Sequence, residues 1–149
     1  MKGTVRFGLA FTIAAFAIAQ LIPVARENAP VESEVPVTPE ARAVLVRACF
    51  DCHSNQTVWP WYSKVAPGSW LLAKDGREGR AELNFSTWSR YSAVKQRKLL
   101  RKSLEEVKEG EMPLWIYLLG HAEARLSDAD RAALQHWVTE STAALDAGP

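Results

Sequence analysis

Cys49-Phe50-Asp51-Cys52-His53 is the stretch from which the rest of this chain is read. Two thiols three positions apart on a tight helical turn can each add to one vinyl group of a haem. The next residue, His53, then sits under the iron, where its imidazole serves as proximal ligand. The chain has two cysteines and three histidines in all, and one of those histidines stands directly behind the pair. A thioredoxin-like redox pair needs a βαβ setting, and no such alternation is present. A structural zinc takes four ligands, and His121 and His136 lie far downstream without ligand spacing. A plain disulfide gives no reason for the histidine. The pentapeptide therefore reads as the covalent site of one haem c, with Cys49 and Cys52 as thioether donors and His53 on the iron.

The length, 149 residues, suits one small domain with a leader or anchor. A net charge of +1 offers no field for nucleic acid. Lys2 and Arg6 precede an apolar run from Phe7 to Val24, which as a helix spans about 27 Å, enough for a bilayer core. Residues 1–26 are expected to be a single-pass transmembrane anchor or uncleaved signal. That puts the domain on the periplasmic, extracytoplasmic side of the cytoplasmic membrane. The rival is a soluble periplasmic protein released by cleavage after the small-x-small site Ala17-Ile18-Ala19. Residues 27–37, with two prolines and no period, read as an extended tether.

From Thr38 onward the pattern is all-α. Thr38-Pro39-Glu40 opens a helix that carries Val44, Leu45 and Ala48 on one stripe and runs into Cys49. Prolines and large aromatics in the stretch from Ser54 to Trp70 argue against regular structure through Pro60. In that loop Trp59, Trp61, Tyr62 and Trp70 are candidate walls of a haem pocket, with indole N–H and phenol O–H groups toward the propionates. A carbonyl of Pro60 or Pro67 is a candidate to orient His53. A short helix is expected over Ser69–Lys74, then a polar turn whose Arg77 and Arg80 are candidate propionate partners.

The period of Val94, Leu99, Leu100, Leu104 and Val107 predicts a helix over Ser92–Glu109, stopped by Gly110. Its basic side, Lys95, Arg97, Lys98, Arg101 and Lys102, is a solvated face first and a dock for an acidic redox protein second. Met112, the sole methionine after the initiator, precedes Pro113 on a loop and is the candidate sixth ligand. His121 is the alternative distal ligand, or else a propionate or turn partner. Ser127-Asp128-Ala129-Asp130 starts a last helix to about Thr142, with Ala133, Leu134, Trp137 and Val138 inward and His136 at the surface.

The run CxxCHSN at Cys49–Asn55, Trp59-Pro60-Trp61-Tyr62-Ser63, Ala66-Pro67, Trp70, Gly76–Arg80, Glu82–Ser86 and Trp88 resembles the small bacterial haem-binding domain family. The resemblance extends to Gln20-Leu21-Ile22-Pro23-Val24, favours an uncleaved segment and covers most of the chain. It implies covalent haem c in a small, exported, cytochrome c-like helical domain, residues 38–145, and no particular reaction. The reading is then a monohaem cytochrome with His53/Met112 ligation, an electron carrier rather than a catalyst. The partner expected is a redox protein whose identity the sequence leaves open. The alternative is a haem enzyme or a gas or redox sensor with an open distal site, His121 serving as acid or base.

Overall fold

The computed structural model describes residues 2–148, with side-chain exposure from residue 5 onward. Six α-helices follow in order: α1 (Lys2–Ala19), α2 (Pro39–Ala48), α3 (Phe50–His53), α4 (Gly68–Glu82), α5 (Ala93–Glu109) and α6 (Asp128–Ala147). Short 3₁₀ turns at Trp61–Lys64, Trp88–Arg90, Tyr117–Leu119 and Ala122–Ala124 join them. Among the described residues the one sheet-like pairing is an isolated bridge between Ser33 and Thr87. The fold is all-α, as the periodicity predicts.

Local chemistry sets the helix ends. The Thr38 hydroxyl accepts from the Ala41 amide at α2, and Ser92 accepts from Lys95 at α5. Ser127 and Asp130 satisfy each other's backbone amides in a capping box at α6. Gly110 ends α5 at φ +80°, a conformation cheap only for glycine. α2 and α5 both pack on α6. Between them Val44, Leu45, Leu99, Leu100, Leu134 and Val138 are buried, each contributing about 1.5–3 kcal/mol. Phe85 lies amid this core, its ring 5.7 Å from Phe50, 6.3 Å from Trp88 and 6.4 Å from Trp137. Val94 departs from the expected stripe and is exposed, because the buried face of α5 begins a turn later at Leu99.

Four sequence expectations change. The apolar N-terminal run is helical only as far as Ala19. Its uncharged part begins after Arg6 and so spans about 20 Å at 1.5 Å per residue, against a bilayer core of about 30 Å. Among the described residues no helix is long and apolar enough to cross a membrane, which removes the support for a spanning anchor. Residues Phe7, Leu9, Phe11, Ile13, Phe16 and Ile18 are exposed. The chain is fastened to the domain only from Gln20, whose amide oxygen accepts from Ala66 N at 2.9 Å.

The stretch from Glu27 to Val37 is extended but laid along the domain. Pro36 O accepts the Trp137 indole N–H at 2.8 Å, Pro30 O accepts from Asn55, and Val35 is buried. The expected turn at Asp75–Arg80 is helix, since α4 continues unbroken through Gly76 and Gly79. α6 likewise runs past Thr142 to Ala147.

Candidate functional site

α2 stops one residue before the pentapeptide. Cys49, at φ −129°, ψ −37°, leaves helical geometry, and α3 restarts at Phe50. The Cys49 carbonyl accepts from both the Cys52 amide (3.2 Å) and the His53 amide (2.9 Å), closing a tight turn. Both cysteines are half-buried free thiols. Burial, above all, pushes the Cys49 thiol up to about 12 and Cys52 up to about 11, so both are protonated at neutral pH.

α4 lies directly against this turn, and Gly79 is what permits it. A Cβ at Gly79 would stand 2.7 Å from the Cys52 carbonyl oxygen and 3.1 Å from its carbon. The close approach places two backbone acceptors over the histidine. His53 Nδ1 lies 3.0 Å from Gly79 O and 3.1 Å from Leu83 O, both near the end of α4. Carbonyls only accept, so Nδ1 carries the hydrogen and Nε2 keeps its lone pair. Burial lowers the pKa of His53, which keeps it neutral. The orienting carbonyls are thus those of Gly79 and Leu83, not of Pro60 or Pro67, because α4 rather than the aromatic loop abuts the turn.

Cys49, Cys52 and His53 all line one cleft of about 360 Å³. Its walls are chiefly apolar, from Leu45, Phe85, Leu99, Leu104, Leu134 and Trp137. Met112 lines the same cleft and packs against the core, so the structure brings together the pentapeptide and the downstream methionine. Among the described lining residues Lys102 is the one basic side chain, 3.4 Å from Glu82. The sequence reading placed Lys102 on the basic face of α5, solvated or docking an acidic partner; its place at the cleft beside Glu82 is set by tertiary packing.

His121 stands elsewhere. Its ring stacks on Tyr117 (4.1 Å between centroids, 8° between planes), Nε2 lies 2.6 Å from Tyr62 Oη, and Nδ1 lies 3.1 Å from Glu123 Oε1. With both nitrogens engaged, it lines a second cleft of about 390 Å³ together with Trp59 and Tyr62. That cleft shares Asp51, Cys52, Asp75, Leu114 and Tyr117 with the first. The aromatic loop therefore builds a neighbouring wall rather than the wall around His53 and Met112. Trp61 is 77% exposed, and neither it nor Trp70 lines either cleft.

The two arginines also part from expectation. Arg80 donates to Ser54 O (2.7 Å), Thr57 Oγ1 (2.6 Å) and Asn28 Oδ1 (3.0 Å), binding the loop after His53 to the extended N-terminal stretch. Arg77 is exposed on α4 and lines neither cleft. Asp51, between the two cysteines of the pentapeptide, has a role the sequence did not signal. Its carboxylate accepts from Val58 N (2.9 Å) and Tyr117 Oη (2.8 Å), joining the turn to two loops.

An apolar cleft bearing two free thiols, a neutral histidine with a bare Nε2 and a thioether fits a covalently held haem. The profile of the haem-binding domain family matches residues 14–140. Comparison with curated proteins and with solved structures found no match. The match covers most of the chain and includes the pentapeptide, both clefts and the core of the last helix: this chain belongs to the haem-binding domain family.

Proposed function

We propose that the chain is a monohaem c-type cytochrome that transfers single electrons. Cys49 and Cys52 would hold the haem through thioethers, and His53 and Met112 would ligate its iron. The observation that carries this reading is the shared cleft: both cysteines, the histidine and the only internal methionine line one chiefly apolar space. Bound there, the haem supplies a one-electron couple. The protein's residues do the rest. Gly79 and Leu83 fix the imidazole and raise its basicity as a ligand, as outer hydrogen-bond partners of ligating histidines do. Leu45, Leu99, Leu104, Leu134 and Trp137 exclude water, and Lys102 is the nearest candidate to meet a propionate.

We place the working domain outside the cytoplasmic membrane, with the N-terminal helix as an export segment. Its basic start, its apolar body and the Ala17-Ile18-Ala19 site support this, as does the fastening of the chain from Gln20 onward. The protein it exchanges electrons with is a redox partner of unspecified class.

The test is a visible spectrum of the haem-loaded protein, oxidised and reduced, in wild type and Met112→Ala. A weak far-red band of an iron–thioether bond in the oxidised protein, lost in the variant, is the expected result. A high-spin spectrum that the substitution leaves unchanged would contradict Met112 ligation. The open-site enzyme or sensor would then be the better reading.

A further inference from the structure

We propose that the second cleft, beside the haem-type pocket, binds a small uncharged aromatic alcohol, a phenol or hydroquinone, through the hydroxyl of Tyr62. This inference does not rest on the electron-transfer reading, because the cleft is built from protein groups alone.

Size and lining point to a single ring. The space of about 390 Å³ lies in the range of small-molecule sites. Val58, Pro60, Leu71, Leu72 and Ile116 supply apolar walls. The mouth is apolar as well, with Val58 76%, Leu119 73% and Ile116 40% exposed. Exposed apolar residues clustered around a concavity mark an interaction site.

Charge narrows the class. Among the described lining residues there is no lysine or arginine, while Asp51 and Asp75 are both present. A carboxylate or phosphate would enter with no counter-charge and against two acids. A cation has little to gain from Asp51, whose oxygens are already engaged by Val58 N and Tyr117 Oη, which leaves Asp75, whose charged form burial disfavours, as the one acid it could meet. A neutral ligand pays neither cost.

The polar end sets the functional group. His121 Nδ1 faces the Glu123 carboxylate, an acceptor, so it carries the ring hydrogen. Nε2 is then an acceptor and takes the hydrogen of Tyr62 Oη across 2.6 Å. The Tyr62 oxygen is left with lone pairs and no hydrogen to give, so it seeks a donor. A phenolic O–H is such a donor attached to an apolar ring. Gly120 keeps that oxygen open, since a Cβ there would lie 3.1 Å from it. Trp59 lines the same cleft with its indole N–H buried and without a partner, so the cleft holds an unused donor as well as an acceptor.

Calorimetric titration of the haem-loaded full chain with 4-propylphenol tests this. The comparison ligands are its methyl ether, 4-propylbenzoate and 4-propylphenyl-trimethylammonium. Saturable binding of the phenol is expected, weakened about tenfold by Tyr62→Phe, the worth of one hydrogen bond. The ether should bind wild type and Tyr62→Phe alike, and Leu72→Trp, which fills the space, should abolish binding. Gly120→Ala should weaken the phenol selectively and serves if Tyr62→Phe proves unstable by thermal melting. Equal affinity for the benzoate or the ammonium, or a phenol affinity indifferent to Tyr62→Phe and Leu72→Trp, would overturn the proposal. So would loss of attached haem in Tyr62→Phe without phenol binding in wild type, which would assign the cleft to haem. Haem content is measured separately, so failure of haem attachment and failure of phenol binding read out independently.

Discussion

Replacing Gly79 by alanine puts a methyl group where α4 touches the Cys52 turn. The new carbon would lie 2.7 Å from Cys52 O, 3.1 Å from Cys52 C and 3.1 Å from Cys52 Cβ. Two of those three atoms are backbone, held by the Cys49 carbonyl's bonds to Cys52 and His53, so relief requires moving α3 against α4. Forcing an extra carbon into a packed site costs about 1–3 kcal/mol. Alanine recovers about 1 kcal/mol through helix propensity, leaving a net loss of up to about 2 kcal/mol. For a domain of this size the melting midpoint should fall by up to roughly 10 °C. The matched control is Gly76→Ala on the same helix, where the nearest atom, Trp59 Cη2, is 4.0 Å away. There the propensity gain acts almost alone, and stability should rise by about 0.5–1 kcal/mol. Thermal unfolding of the haem-free chain, followed by helical circular dichroism, reads both. If Gly79→Ala melted at or above Gly76→Ala, the claim that Gly79 exists to seat α4 on the pentapeptide would be refuted. Displacing α4 also pulls Gly79 O and Leu83 O from His53 Nδ1, so the yield of attached haem should fall in Gly79→Ala and hold in Gly76→Ala.

Arg80→Met should destabilise the fold by about 2 kcal/mol, since it strands Ser54 O and frees the loop after His53. A redox midpoint strongly changed at unchanged stability would instead make Arg80 a propionate partner. Asp130 is held at about 2, first by the hydrogen bond from Arg47 and then by the Ser127 amide. Its folded value lies below the unfolded one of about 3.9, so its stabilisation is full above pH 4 and lost as pH falls through 2. Asp130→Asn should cost about 1 kcal/mol at neutral pH, with the two urea-unfolding curves converging below pH 3. A difference that persisted undiminished to pH 2 would count against the Arg47–Asp130 pair.

The sequence made the helices and the central pentapeptide readable because both rest on local rules. Thr38, Ser92, Ser127 and Gly110 mark helix ends by capping chemistry that needs no partner beyond a turn. Gly76 and Gly79 misled the reading for the opposite reason. In isolation two glycines weaken a helix, and only the approach of Cys52 to within a Cβ's reach explains why Gly79 belongs in one. Arg80 was expected at the cleft and instead ties loops together, while Lys102, read as a surface charge, lines the cleft; which cation meets a cleft is a tertiary fact. Trp59 and Tyr62 were read as haem-pocket walls and His121 as an alternative ligand, and no local pattern reveals that Tyr62 and His121 hydrogen-bond each other at a neighbouring cleft. The N-terminal run was long by hydropathy and short by geometry, because the helix ends at Ala19.

The most direct test of the account is whether haem stays with the chain after the fold is destroyed. Wild type, matured with its haem, is denatured in acid, extracted with organic solvent and weighed intact beside Cys49→Ala/Cys52→Ala. The account predicts one haem retained on wild type and none on the double variant. Haem extracted completely from denatured wild type, or retained by the double variant, would contradict attachment at Cys49 and Cys52.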